Sequence, residues 1–327
     1  MTLPSCAVIV VLLLPLMFTA ACGGGAQPAA TSDSITLYTC VSDTTIQPVI
    51  KQFEAAKPGR KVNLYRAPTG DLNARVAGDV RSGGLKADVI WACDPLTMAD
   101  YVSQGLVGGW TPQTDIAQNL RTADSVGVAM LYMVAVSHEG GPTPQAWSDL
   151  TSKQYAGKVA VPDPKVAASA LGALGFFAQS PNFKMDFYAN LKKNGAVQVS
   201  TPDNVTTGVA EGVYQAGVTV ANSAYTAQKK GSPIRVVWPQ PGAIGIYGPA
   251  ALAKNAANPA TAKDFISYIT SKEGQTVIGG AGSYPALADI KGPTKPAGAK
   301  VVSPDWSALA TQKDTLLKDY QQIFGGS

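Results

Sequence analysis

ITLYTCVSDTTIQPVIKQFEAAKPGRKVNLYRAPTGDLNARVAGDVRSGGLKADVIWACDP, residues 35–95, is the stretch whose reading decides the fold. Its first five residues, 35–39, read as a buried strand. A helix follows, with Asp43 and Thr44 as start signals and Ile46, Val49, Ile50 and Phe53 on one face. Pro48 falls in or near the first turn, where a missing N–H costs least, and Lys57-Pro58-Gly59 stops the helix. Residues 62–65 read as a second strand. Thr69-Gly70-Asp71 then opens a second helix, with Leu72, Val76 and Val80 at spacing four. Residues 87–92 are a third strand, and Asp94-Pro95 starts a third helix that Gly105 ends. The order β-α-β-α-β-α predicts a parallel sheet with helices on its faces. Ligands of such sheets bind beyond the carboxyl ends of the strands, so the segments to inspect are 39–43, 67–71 and 92–95.

Downstream, residues 128–137 are a long apolar stretch without helical period, expected as a strand through the middle of the molecule. After a Pro/Gly-rich turn at 140–144, residues 157–162 read as a strand. Helices follow at 168–179 and 183–194, the second capped by Gly195, then a strand at 197–199. Ser200-Thr201-Pro202-Asp203 is a helix start, a cap residue followed by Pro in the first turn. Strands at 217–221 and 234–238 flank a helix at 223–230, which gives a second α/β unit over 134–238. The tail is helical at 259–270, 272–278 and 306–323.

Upstream, an apolar run at 7–18 leads to Thr19-Ala20-Ala21-Cys22 and then Gly23-Gly24-Gly25. The run is too short to span a bilayer, which needs roughly 20 residues. Small residues before Cys22 suit a peptidase that cuts on its amino side, and the segment resembles a bacterial lipoprotein signal. The expectation is a signal peptide at 1–21, a flexible tether at 22–34 and a lipid on Cys22, holding the protein at the outer face of the cell membrane. The alternative is an ordinary secretory signal that leaves a free protein.

The rest of the chain is long enough for two lobes. Over the full 327 residues, 15% charged and 46% hydrophobic residues mark a globular protein. The net charge of +4 suits an anionic small ligand and lacks the clustered basic stripes of a nucleic-acid binder. The single histidine, His138, lies beside a turn-like Glu139-Gly140-Gly141-Pro142, which reads as a solvated loop. There is no G-x-S-x-G elbow and no metal-binding His pair, so no enzyme and no cofactor are expected.

Five blocks in order, ITLYTCVSD (35–43), ADVIWACDP (87–95) with YVSQGLV (101–107), WSDLTSKQYAGKVAVPDP (147–164), GVTVANSAYTAQKKGSPIRVVWP (217–239) and NPATAKDFISYITSKEGQ (258–275), resemble the extracellular solute-binding proteins of bacterial ABC importers. The resemblance is to the branch that binds ferric ion, 2-aminoethylphosphonate, thiamine and phosphate esters. It implies a two-lobed periplasmic-binding-protein fold of type II, with parallel-type sheets, flanking helices and a ligand cleft between the lobes. Lobe 1 would comprise 35–130 plus 245–327 and lobe 2 131–244, with crossing strands near 128–137 and 237–248. It also implies an ABC permease with a cytoplasmic ATPase as partner, and a monomeric binding protein. A ligand-sensing domain with the same cleft, or an envelope enzyme, are the rival readings.

In ferric-binding members a tyrosine pair follows the strand that here is 217–221, helped by a His and a Glu. This sequence has Asn222-Ser223 at the pair, Ser42 at the histidine and Cys93 near the glutamate, with only Tyr225 close by. Hard ferric ion needs anionic oxygen donors, so an iron (or iron-chelate) protein is the alternative, and a small oxyanion is the expected ligand. Helix starts carry free N–H groups and partial positive charge, and Thr69, Ala168, Ser169, Ser200 and Thr201 stand at such starts, as do Asn222 and Ser223. In related proteins the position of Ala168 and Ser169 contributes to anion binding. Plain helix capping is the competing role of Ser169, Ser200 and Thr201. Asp94 could pair with an amine on the ligand or serve only as a helix-start charge, and Tyr225 and Tyr247 could line the cleft or pack the core and hinge. The family fold also makes the strands before Cys40 and Cys93 neighbours, which implies a disulfide on the cleft floor; two buried thiols are the other possibility.

Overall fold

The computed structural model describes residues 33–325. The signal segment at 1–21, Cys22 and the tether, except residues 33 and 34, lie outside that range. The first unit alternates strand and helix: β1 (Ser34–Thr39), α1 (Asp43–Ala56), β2 (Lys61–Arg66), α2 (Thr69–Arg81), β3 (Val89–Trp91) and α3 (Pro95–Ser103). A long strand, β4 (Val126–His138), leads to the second unit: β5 (Val159–Pro162), α4 (Ala168–Gln179), α5 (Asp186–Lys193), β6 (Val197–Val199), α6 (Pro202–Ala210), β7 (Ala216–Val220), α7 (Ala221–Lys229) and β8 (Ile234–Val237). β9 (Ala243–Leu252) returns. α8 (Pro259–Ile269), α9 (Lys272–Gly280), β10 (Tyr284–Pro285), β11 (Val301–Val302) and α10 (Trp306–Phe324) complete the chain.

The strands join in the order β2-β1-β3-β9-β4-β7-β5-β6. Within each unit the pairing is parallel: β1 with β2 and β3, and β5 with β6 and β7. It turns antiparallel at β4 and β9, which pass between the units in opposite directions, paired from Val126↔Ala250 to Met133↔Ile244, and which also pair antiparallel with β3, β7, β8 and β10. These are the two expected crossings, and they convert a parallel-type sheet into a mixed one.

Each unit has its own core. In the first, Ile46, Val49 and Phe53 of α1 are buried against Ile35 and Leu37. Phe53 also meets Phe265 of α8 edge-on, with ring centroids 5.1 Å apart. In the second, Phe177 stacks on Phe187 at 3.9 Å and meets Trp147 edge-on at 5.4 Å. Burial of each such side chain contributes about 1.5–3 kcal/mol, which fixes the walls that carry the loops between them.

Two sequence expectations differ from the packing. Leu72 and Val76 are buried, but Val80 is 42% exposed. A helix repeats every 3.6 residues, so a spacing of four drifts off the face, and the buried place goes to Asp79. Its carboxylate accepts from Tyr38 Oη at 2.8 Å and pairs with Arg75 at 3.0 Å. The tail at 245–327 was expected to complete the first lobe. Its α8 and α9 do pack there, but Leu309, Leu316, Tyr320 and Phe324 of α10 join the second core. Gly172 and Gly175 on α4 make that approach possible: a Cβ at Gly175 would lie 2.3 Å from Leu309 Cδ2. A 2.5 Å ion pair from Lys313 to Asp100 ties α10 back to α3.

Candidate functional site

The carboxyl ends of the parallel strands from both units face one another across a cavity of about 130 Å³. That is small beside the roughly 300–1,000 Å³ of pockets for drug-sized ligands. The floor is built by the loops after β1 and β3. Thr39 Oγ1 donates to Trp91 O at 2.8 Å and accepts from Val41 N at 3.1 Å. Cys40 and Cys93 are joined in a disulfide with Cα atoms 5.9 Å apart. The β1–α1 loop is therefore held from both sides before α1 begins at Asp43.

Arg66, the last residue of β2, leans onto the same loop. Its Nε donates to Val41 O at 3.2 Å. Its terminal nitrogens have neither an ion pair nor a hydrogen bond within the described residues, yet the side chain lines the cavity. An unspent guanidinium presents a planar fork that fits carboxylate or phosphate oxygens.

On the opposite wall, Asp163 organises the loop before α4 by accepting from Lys165 N at 2.8 Å and from Gln198 Nε2 at 2.7 Å. α4 then starts at Ala168 with Ala167 as its N-cap, so no side chain caps it. α7 likewise starts directly after β7 with no side-chain cap. Small residues at both starts leave backbone N–H groups free for an anion. The two walls touch: Gly70 N donates to Val166 O at 3.2 Å, and a Cβ at Gly70 would come within 3.1 Å of Lys165 O.

Of the residues singled out in the sequence, Ser42 and Thr69 line the cavity from the first unit. Ala168, Ser169, Thr201, Asn222 and Ser223 line it from the second. Thr201 is committed to capping, accepting from Asn204 N at 3.3 Å. Ser42 caps α1 through its carbonyl, which accepts from Thr45 N and Ile46 N at 2.9 Å, while its hydroxyl meets those of Thr44 and Thr45. Ser223 Oγ donates to Asp203 Oδ1 at 2.5 Å.

Four others are not among the residues around the cavity. Ser200 is exposed at the turn before α6. Tyr225 Oη accepts from Trp238 Nε1 at 3.0 Å. Tyr247 sits in β9 opposite Met130. Burial raises the hydroxyl pKa of both tyrosines above the ordinary phenol value. Asp94 is the N-cap of α3, accepting from Thr97 N at 2.9 Å, and is 1% exposed. That is the helix-start role, and Asp94 is not among the residues lining the cavity.

Burial also raises the Asp94 carboxyl pKa, against the pull of the Thr97 hydrogen bonds and of Lys313. Its other oxygen, Oδ2, is buried without a partner. A carboxyl whose folded pKa is raised gives its full stability below the unfolded value and loses it as pH rises. Asparagine caps helices as well as aspartate. Asp94→Asn should therefore be more stable than the parent at pH 8, with the advantage shrinking as pH falls to 4; urea unfolding at both values measures it.

Sequence reasoning missed Arg66, Trp91 and Asp203. Trp91 is fully buried and lines the cavity, and its indole N–H has no partner. Asn222 Oδ1 on the other wall is buried without a donor. Only Arg66 had an available signal: a cation at the end of a strand, next to the segment 67–71 already marked for ligand contact. Among the described residues, no group of three or more His, Cys, Asp and Glu could hold a metal ion.

A cavity beyond the strand ends of two α/β units, with the Arg66 guanidinium on its lining, is a place where a solute can be held. Residues 35–283 match the family of bacterial extracellular solute-binding proteins. The chain belongs to that family. It is 31% identical over 134 residues to an uncharacterised protein of Haemophilus influenzae, 40% of this chain and 39% of the other. It is 28% identical over 186 residues to the spermidine/putrescine-binding periplasmic protein of Escherichia coli, 55% of this chain and 50% of the other. The chain thus spans half or less of the length of these curated relatives. Among solved structures, it resembles the periplasmic binding protein AfuA from Actinobacillus pleuropneumoniae with fructose-6-phosphate bound (TM-score 0.79, 19% identity, 90% of this chain and 99% of the other). It also resembles iron-bound HitA from Pseudomonas aeruginosa (TM-score 0.74, 18% identity, 88% and 99%). These likenesses give the fold, a two-lobed periplasmic-binding-protein architecture. This solute-binding protein is an exported binder and not an enzyme.

Proposed function

We propose that this protein captures a small oxyanion, such as a phosphonate, phosphate ester or carboxylate, and delivers it to the permease of an ABC importer driven by a cytoplasmic ATPase. The carrying observation is Arg66: a guanidinium on the cavity whose terminal nitrogens no acceptor among the described residues uses. The uncapped starts of α4 and α7 on the opposite wall add backbone donors. A lipid on Cys22 would keep the binder beside its permease. A polyamine, the ligand named for the Escherichia coli relative, would need several carboxylates around it. The charged residues at this cavity are one cation, Arg66, and one anion, Asp203. Bare ferric ion would need several anionic oxygen donors, and the cavity has a single carboxylate, Asp203.

A thermal-shift panel of 2-aminoethylphosphonate, phosphate esters, putrescine and ferric citrate tests the reading. A ligand at a hundred times its Kd stabilises by about 2.7 kcal/mol. Arg66→Gln should then weaken the oxyanion that binds by about 10- to 100-fold, the worth of a hydrogen bond to a charged group, with little change in the melting temperature of the unliganded protein. A shift with putrescine or ferric ion alone, or full affinity in Arg66→Gln, would contradict it.

A further inference from the structure

We infer that α3 and α10 form a latch outside the cavity, made by the Lys313–Asp100 ion pair, that holds the two walls together. The latch does not depend on which solute the cavity takes. α3 serves both units. Its Met98 and Tyr101 pack in the first unit with Leu72 and Val76 of α2. Its Leu96, 3% exposed, is buried in the second unit's core, which also holds Leu171 of α4 and Leu309 of α10. Further along α3, Asp100 Oδ2 lies 2.5 Å from Lys313 Nζ on α10. The same ammonium draws down the pKa of the Asp94 carboxyl at the start of α3, against the effect of burial. α10 itself belongs to the second unit, where Tyr320 meets Tyr188 of α5 edge-on at 5.1 Å.

A surface ion pair contributes only about 0.2–1 kcal/mol, and the two side chains here are 26% and 51% exposed. Position gives this one its effect. Tyr101 Oη donates to Asn73 Oδ1 at 2.5 Å, so α3 is joined to α2, whose second residue is Gly70. On the other side, Lys165 shares a surface groove with Asp314 and Leu317 of α10, and Val166 next to it accepts from Gly70 N at 3.2 Å. The ion pair and the wall contact therefore span the same two blocks, α2 with α3 and α10 with the loop at 165–166. Parting the walls also parts Asp100 from Lys313. An attraction present in one of two states shifts the balance between them by its whole energy.

The test is hydrogen exchange of the Gly70 amide by NMR, on the exported chain without added solute. A first-turn N–H has no partner within its own helix, so the bond to Val166 O is what protects it. Asp100→Lys and Lys313→Asp each set like charges face to face. At low salt each should speed Gly70 exchange roughly three- to tenfold, while amides within β1 and β5 keep the parent rates. The variant with both substitutions restores an opposite pair and should return to within about twofold of the parent. In 1 M salt, where screening acts within about 3 Å, the differences should shrink. Equal Gly70 rates in the parent and both single variants, or a double variant as fast as the single ones, would overturn the latch and leave the oxyanion reading standing. Faster exchange throughout β1 and β5 would also overturn it, because the pair would then support the fold and not the meeting of the walls.

Discussion

Gly70→Phe should raise the dissociation constant for a bound oxyanion on the order of 100-fold, with little effect on the stability of the empty protein. Gly70 is the second residue of α2, and its backbone is ordinary helix, so a larger residue meets no conformational penalty there. The obstacle is across the cleft: a single Cβ would lie 3.1 Å from Lys165 O and 3.5 Å from Val166 Cα. Both are main-chain atoms, fixed by the Asp163 turn, and cannot swing aside. An aromatic ring at this point has to separate the walls and break the 3.2 Å bond from Gly70 N to Val166 O. Overpacking of this kind costs about 1–3 kcal/mol. The cost falls on the state in which the walls touch, and a state with the walls parted would escape it. Apparent affinity drops with the population of the binding-competent form, and about 1.4 kcal/mol is a factor of ten. Calorimetry on Gly70→Phe beside Gly70→Ala measures this; the alanine variant should show a smaller loss of the same sign. Unchanged affinity in the phenylalanine variant would mean that the walls need not meet for binding.

Removing the disulfide, as Cys40→Ser with Cys93→Ser, should lower unfolding free energy by about 4 kcal/mol. The bond closes a loop of 53 residues, and the chain-entropy relation gives that value for a loop of this length. The loop contains α1, β2 and α2, so the cross-link restrains most of the first unit in the unfolded chain. The protein works outside the cytoplasm, where such a bond persists. Both cysteines line the cavity floor, and affinity for the oxyanion should fall together with stability. Urea unfolding of the double variant should show an earlier midpoint. A midpoint equal to that of the oxidised parent, with the same slope, would contradict the entropic account.

The alternation of strand and helix along 35–105 was legible because each element carries its own period and its own stop signals. Pairing of Cys40 with Cys93 followed from two strands becoming neighbours in the family fold. What stayed hidden depends on partners distant in sequence. Val80 and Asp79 exchange roles because the buried face of α2 is decided by Tyr38 and Arg75 as well as by apolar spacing. α10 reads as a plain amphipathic helix, and nothing in it reveals that Gly172 and Gly175 open a seat for it on α4. Arg66 and Asp203 look like ordinary surface charges, one at a strand end and one in a helix start. Only the fold brings both to one cavity, since neither is distinguished by spacing. The starts of α2, α4, α6 and α7 come to one cavity, yet which of them is spent on capping, as Thr201 is, could not be read from residue type.

The most direct test is a crystal structure of the protein with the solute it carries when purified from its own cells. An oxyanion lying between the two walls, its oxygens within hydrogen-bond distance of the Arg66 guanidinium and of backbone N–H groups at the start of α4 or α7, is the expected result. A metal ion bonded directly to protein atoms in that space, or a solute that leaves Arg66 untouched, would contradict it.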